Sequence, residues 1–573
     1  MWTQTFDPLG HPLASAAVAA IPILALLWAL VIARWSAVRA GALTLGLSLV
    51  IAVGVYRMPV TLAVMASIHG ACYGVFPISW IVFGALTLYQ VTVRTGRFDV
   101  LKHSIAALTD DRRLQALLIA FSFGAFLEGC AGFGAPVAIA ASMLVGLGFD
   151  ARYAAGLCLI ANTAPVAFGS IGIPLVTASQ VTGLDLHALS QMVGRQLPVL
   201  SLALPFYLIV LMSGWRGLAD VWPAALVSGL AFAVTQFLVS NYLGPALPDI
   251  LSAVVSILAL VALLSIWKPA RAFRFAHEPD SVVRAVSPPA HLAIAAWIPF
   301  ALLTLLVSTW GLIQPLLDRA TFVIAVPLLD HAVLNPDTGK AIAATYRVNW
   351  LGAAGTAVLV SAALSAIALR LGTRGFGAVC ADTTRQLTRS VATIALFLAF
   401  AFLGTASGMT TALGRAMAGT GALFPFFAPI VGWIGVFITG SDTSANALFG
   451  RLQQVSADQL GVSPVLAVAA NSSGGVTAKM ISPQSIAVAC AATGLVGREP
   501  DLLRFTLPHS VGLVLLMGVL TWLQATVFSW MVPAAMPSVG SASAMPAMNA
   551  GAILTGAAVG AVVLMLVARR VAR

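Results

Sequence analysis

LEGCAGFGAPVAIA, residues 127–140, decides how this chain folds. One acid, three glycines and a proline stand there in otherwise apolar sequence, at a depth where an ordinary membrane-crossing helix would be featureless. The stretch belongs to residues 114–149, and residues 153–183 follow it, ending in ANTAPVAFGSIGIPLVTASQVTG at 161–183. A second region, 422–494, reads ITGSDTSANALF at 438–449 and ANSSGGVTAKMISPQSIAVACAATG at 470–494. Both run in one order: an apolar approach, a Gly-rich break carrying one acid, a second apolar arm, then a span broken at Ala-Asn-(Thr/Ser) that closes on Thr-Gly. Asn162 follows Glu128 by 34 residues, and Asn471 follows Asp442 by 29. Shared order and similar spacing with weak identity predict an internal repeat.

Working outward, 60% of the 573 residues are hydrophobic and 9% are charged. A soluble domain carries about 25% charged residues, so no water-soluble surface can be built here. Apolar runs at 13–33, 197–214, 222–240 and 247–267 have the length of roughly 18–22 residues that crosses about 30 Å of hydrocarbon as a helix. The net charge of +11 resides in short patches between spans and builds no basic domain, which argues against nucleic acid as a partner. Lys and Arg accumulate in cytoplasmic connections, so the loops 94–113, 268–284 and 370–389 are expected in the cytoplasm. Residues 1–10 hold no positive charge ahead of the first apolar run; that run reads as a retained span, with the N-terminus outside. Cys72, Cys130, Cys158, Cys380 and Cys490 lie in or beside apolar segments without paired metal spacing and read as small buried hydrophobes.

These counts predict an all-α integral membrane protein of about 12–14 transmembrane helices, with two inverted repeats that each contain a re-entrant hairpin and a broken helix. The inversion follows from topology: the first region is entered from the cytoplasmic loop 94–113, the second from outside after a span at 390–409. The expected organisation is scaffold spans at 1–113, a first repeat core at 114–196, scaffold spans at 197–311, an external loop at 312–348, scaffold spans at 349–420, a second repeat core at 421–507 and C-terminal spans at 508–573. Helices broken near mid-membrane in inverted repeats are the architecture of secondary transporters, with cargo and coupling ion between the half-helices.

Of 19 acidic residues, Glu128 and Asp442 look deepest in apolar sequence. A charge at the bilayer centre costs about 3 kcal/mol or more and marks a polar cavity; removal from water favours the neutral carboxyl, so both acids are candidates for proton coupling. The bland alternative is that either acid caps a half-helix, Asp442 above all with Ser441, Thr443 and Ser444 beside it. Lys479, one of four lysines, lies inside a membrane segment; it reads either as a structural partner of Asp442 or as the counter-charge of a substrate carboxylate. Asn162, Thr163, Asn471, Ser472 and Ser473 mark the expected helix breaks, where free backbone N–H groups favour an anion. Glycines there serve equally for close helix packing. Ser441 and Thr443 complete the candidate substrate set. His69 and Arg195 read as an interfacial histidine and a snorkelling arginine. With both acids ionised and Lys479 charged, the cavity repels an anion; protonating one acid removes the obstacle, so proton and anion would travel together.

At these segments the chain resembles the bacterial L-lactate permease family. The resemblance rests on FGAFLEGCAGFGAPVAIAASMLVGLGF (123–149), YAAGLCLIANTAPVAFGSIGIP (153–174), QMVGRQLP (191–198), GWRG (214–217), GVFITGSDTSANALF (435–449) and KMISPQSIAVACAATGLVG (479–497), and runs in order over roughly 1–531, including the opening WTQTFDP. It implies carriage of lactate and glycolate, small monocarboxylates, in symport with protons, without a cofactor, by a multi-pass protein of the bacterial inner membrane surrounded by lipid. It also implies kinship with ion transporters that move a hairpin-bearing domain against a fixed scaffold. Two features depart from the family: the loop 312–348, and an added span expected at 550–567 that would bring Arg569, Arg570 and Arg573 to the cytoplasm. A sodium-coupled carboxylate transporter or exporter of the same fold is the closest rival. An enzyme is disfavoured, since the serine-elbow, His-Glu-x-x-His and phosphate-loop signatures are missing from the sequence. The sequence is equally compatible with one copy or a homo-oligomer.

Overall fold

The computed structural model describes residues 1–132, 134–275 and 288–533. Among them, ten helices are long and apolar enough to cross a membrane, or eleven with a bent pair counted as one span. The all-α membrane class is as expected, and the count falls below 12–14 because some of these helices are long and broken. Leu186–Tyr242 runs as one 57-residue helix but contains a non-helical Gly214 (φ 68). Its halves lie against each other, with Ser201 Oγ donating to Gln236 Oε1 at 2.7 Å and Arg195 Nε to Asn241 Oδ1 at 2.9 Å, so it covers two of the expected spans. Val60–Arg94 forms a single kinked span that begins well before the expected 75–93. The span expected at 550–567 and the terminal arginines lie outside the described residues.

The segment 312–348, expected as an external loop, carries short strands. Phe322–Ala325 pairs antiparallel with Thr345–Val348, and Val333–Asn335 pairs antiparallel with Lys340–Ala341 and parallel with Trp2–Thr3 at the chain start. Backbone outside a helix must find partners, and here the first residues supply them. Gln4 Nε2 adds bonds to the carbonyls of Thr405 and Ala406 at 2.8 and 2.7 Å. The N-terminus and this segment therefore share one side of the molecule.

The first hairpin enters through Arg112–Cys130, a helix buried along its whole window. Asp111 caps it, accepting from the Arg113 and Leu114 N–H groups. Arg113 is not the solvated loop charge its position suggested. It is 1% exposed, and its guanidinium reaches Asp111 Oδ2 at 2.8 Å, Asp220 Oδ2 at 3.1 Å and the Gly217 carbonyl at 3.0 Å. Gly132 and Gly134, at φ 57 and 83, make the turn into Ala135–Gly146. The second hairpin joins Phe424–Thr439 to Asp442–Leu460 through Gly440 at φ 70.

Each hairpin is followed by an interrupted helix. In the first, Ala151–Ala161 stops at Asn162, and the pair it forms with Val166–Thr182 is bent by 65°. Ser170, Ile171 and Gly172 then take left-handed dihedrals, with φ 46, 62 and 75. In the second, Pro464–Ala478 is continuous, and the interruption falls at Lys479–Ser482 before Pro483–Thr493. The break expected at 471–475 is thus displaced. A Cβ on Gly432 would overlap the Asn471 carbonyl, and one on Gly474 would overlap the Pro429 backbone. These glycines let Phe424–Thr439 and Pro464–Ala478 touch backbone to backbone, the packing use of small residues.

The two regions interlock. The second arm of the first hairpin, Ala135–Gly146, packs on Pro483–Thr493 of the second interrupted helix; the second arm of the second hairpin, Asp442–Leu460, packs on Gly169–Thr182 of the first.

Candidate functional site

Both hairpin tips meet Pro483–Thr493, the second at its start and the first at its middle. A Cβ on Gly134 would lie 3.5 Å from Val488 Cγ1, and one on Gly440 would lie 3.0 Å from Gln484 Cβ. Ser482 caps this helix by accepting from the Ser485 N–H. Pro483, Gln484 and Ala487 are exposed here, and Ser441 and Thr443 on the facing hairpin are half-exposed. Polar side chains of the second region reach the surface here.

Beneath it lies Asp442, 2% exposed. Asp442 does not cap its helix; Ser441 does, accepting from the Ser444 N–H at 3.3 Å. That frees the Asp442 carboxylate to face inward. Its Oδ2 accepts from Ser472 Oγ and, at 3.5 Å, from Asn446 Nδ2, whereas Oδ1 has no hydrogen-bond partner. A Cβ on Gly475 would lie 2.5 Å from that free oxygen, so the glycine keeps room for it. Lys479 makes no ion pair with Asp442. Its Nζ donates to the Gly440 carbonyl at 2.9 Å, at the hairpin turn, and it is 6% exposed.

Asn471 and Ser472 lie in the same cluster. Asn471 Nδ2 donates to Asn446 Oδ1 at 2.9 Å, and its Oδ1 accepts from Gln453 Nε2 at 3.2 Å. Ser473, one position on, points to the other side of its helix and donates to Gln196 Oε1 at 2.5 Å, with Gln196 continuing to Gln524 at 2.9 Å. Ser473 therefore ties the cluster to Leu186–Tyr242 and Glu499–Thr526 and does not join Asp442.

The first region builds a second buried acid. Glu128, on Gly124–Cys130, accepts at Oε2 from Asn162 Nδ2 at 3.0 Å. Gly169 permits this placement, since a Cβ there would lie 2.9 Å from Glu128 Oε1. Asn162 Oδ1 and Thr163 Oγ1 are buried without partners. Unpaired buried oxygens are uncommon in native folds and call for an explanation.

Asn446, Gln453, Gln196 and Asp249 escaped the sequence reading. Asn446 stands in the quoted SDTSAN run and has the only cue, an amide four residues after an acid on one helix face. It also joins the two regions, because its Nδ2 donates to the Pro174 carbonyl at 3.1 Å. His69 is buried against Tyr73 and Phe402 with Nε2 at 3.3 Å from the Thr345 carbonyl, and Arg195 donates to the Met531 carbonyl at 2.6 Å.

Comparison with known proteins adds the family context. The family described as L-lactate permease matches residues 15–528. The L-lactate permease of Bacillus subtilis (strain 168) is 52% identical over 562 residues, covering 93% of this chain and all of that protein. The glycolate permease GlcA of Escherichia coli (strain K12) is 48% identical over 557 residues, covering 93% and 99%. The solved structure of Neisseria gonorrhoeae MtrF is similar over 86% of this chain and 95% of its own, at 14% identity and a TM-score of 0.48.

Proposed function

The chain belongs to the L-lactate permease family, and from that membership we propose that it moves L-lactate, glycolate or a related 2-hydroxy monocarboxylate across the bacterial inner membrane in symport with protons. The observation that carries this reading is a pair of buried carboxyls, Glu128 and Asp442, each beside an interrupted helix and each facing an amide. Asp442 Oδ1 and Asn162 Oδ1 supply acceptors for a proton or for the cargo hydroxyl, and the Thr163 hydroxyl can donate to the cargo carboxylate.

In this reading Lys479 provides the one positive charge near the cargo carboxylate. Asn162, Thr163, Ser441, Thr443, Asn471 and Ser472 orient it, and Ser473 holds the cluster to its support. Protonation precedes anion capture, because two ionised acids against one ammonium leave the site negative. We take the two regions as inverted copies, a reading supported by the reciprocal packing of each hairpin on the other's interrupted helix. The assigned units 114–196 and 421–507 would then be the working parts, with the remaining spans as scaffold.

The test is uptake of labelled L-lactate into proteoliposomes under an imposed pH gradient, with Glu128→Gln and Asp442→Asn beside the wild type. Accumulation by the wild type and its loss in the variants is the expected result. Uptake driven by a sodium gradient and indifferent to pH would replace proton symport with the sodium-coupled alternative.

A further inference from the structure

Asp249 is the second residue of Pro248–Ile266, at the edge of an apolar run where an acid ordinarily meets water or caps the helix. It does neither. It is 1% exposed, and neither carboxylate oxygen has a hydrogen-bond partner. Its helix begins with Pro248, which has no N–H to offer, and no side chain caps it. Burying a carboxyl this way is costly unless it is paired or neutral, and among the described residues no ion pair reaches it.

What it does meet is the tip of the first hairpin. A Cβ on Gly129 would lie 2.8 Å from Asp249 Cβ and 2.9 Å from Ile250 Cγ1, so the glycine that follows Glu128 exists here as the contact surface for Asp249. The approach is fixed from the other side as well. A Cβ on Gly172, the last of the three left-handed residues, would lie 2.5 Å from the Pro245 carbonyl, which seats the turn preceding Asp249 against the first interrupted helix. Ser252, one turn along from Asp249, is also buried with a partnerless hydroxyl. Glu128 and Cys130, the ionisable residues of Gly124–Cys130, flank Gly129 on either side of this contact. Ala135–Gly146 and Gly169–Thr182, which pack around Glu128, carry no ionisable side chain.

We propose that Glu128 and Asp249 form one proton-holding site, sharing a proton across the Gly129 contact, and that this pair carries the coupling proton while Asp442 and Lys479 attend the anion. The proposal rests on the proton-symport reading above. Two carboxylates in this dry surrounding repel if both ionise, the condition under which acid pairs retain a proton. Loading forms one O–H bond with a proton taken from water on one side; release breaks that bond and returns the proton to water on the other. Asn162 donates to Glu128 Oε2 and so occupies that oxygen, whereas both Asp249 oxygens stand without a partner and are open to the shared proton. The charge of the acid pair then differs between loaded and empty states by the one unit that symport requires.

The experiment uses the full chain in proteoliposomes, comparing Asp249→Asn with the wild type in two assays. Counterflow of labelled lactate at equal pH needs no net proton movement, whereas accumulation under a pH gradient does. Asp249→Asn is expected to keep counterflow, made independent of pH, and to lose accumulation; Asp249→Glu should restore accumulation with a displaced pH profile. Wild-type accumulation by Asp249→Asn overturns the proposal. So does an Asp249→Asn protein that retains the wild-type pH profile of counterflow. If Asp249→Asn fails to fold, Asp249→Glu decides alone, and an unchanged profile overturns it. Should the wild type itself not respond to a pH gradient, the symport reading fails first, and the two failures are told apart.

Discussion

Asn446 Nδ2 lies 3.1 Å from the Pro174 carbonyl oxygen. Proline at 174 removes a backbone bond in the first interrupted helix, and an amide from the second hairpin binds a carbonyl beside it. The same amide group meets Ser472 Oγ at 3.3 Å, and its oxygen accepts from Asn471. One side chain thus joins the first region to the Asp442 cluster.

Replacing Asn446 by Ala should therefore cost more than an average polar deletion. The substitution removes the bonds to the Pro174 carbonyl and to Asn471 Nδ2, and a buried polar group that loses its partner costs about 1–3 kcal/mol. A lower melting temperature in detergent and reduced lactate counterflow are expected. An Asn446→Ala protein as stable as the wild type would show that this bridge contributes nothing.

Gly474→Ala tests the use assigned to the second glycine pair. Its Cβ would overlap the Pro429 backbone, and overpacking of this kind costs about 1–3 kcal/mol or more. Poor yield of folded protein is the expected outcome, measured by size-exclusion chromatography. A well-folded variant of wild-type stability would show that the backbone contact with Pro429 does not require a glycine at 474.

At Gly169 the expected effect is functional before it is structural. An added Cβ would sit 2.9 Å from Glu128 Oε1, the movable end of a side chain, so the acid shifts away from Asn162 and the fold tolerates it. Gly169→Ala should fold normally while its counterflow shows a displaced pH profile. An unaltered profile would mean that the Glu128–Asn162 bond does not set proton affinity.

Lys479→Met removes the ammonium while keeping the stem. If that charge binds the cargo carboxylate, the half-saturation concentration for lactate should rise by about tenfold or more, equivalent to about 1.4 kcal/mol, with Lys479→Arg intermediate. Equal affinity in all three proteins would assign Lys479 solely to its bond with the Gly440 carbonyl.

Much of this was readable before the structure, because lipid and water impose coarse rules. Long apolar runs had to be spans, and an acid within one had to be sheltered, which singled out Glu128 and Asp442. The stop at Asn162 was visible since Asn-Thr-Ala-Pro cannot continue a regular helix. What stayed hidden depends on which face a residue presents. In a chain buried on all sides the apolar period carries little directional signal, so Ser473 could not be separated from Ser472, although they point to different neighbours. Asp249 was unreadable for a related reason: an acid after proline at a span edge looks wet, and only the fold carries that edge inward. The strands near 322–348 escaped because they are only two to four residues long, and one of them, Val333–Asn335, finds a partner in Trp2–Thr3 at the far end of the chain.

The crossed seating of each hairpin on its counterpart's interrupted helix has a consequence for inheritance. Neither half of this polypeptide owns a finished surface, so a change at one turn is judged by residues encoded hundreds of codons away. Expressed as two separate pieces, the halves should be inert alone and regain activity only when made together, and drift in one should draw matching drift from the other.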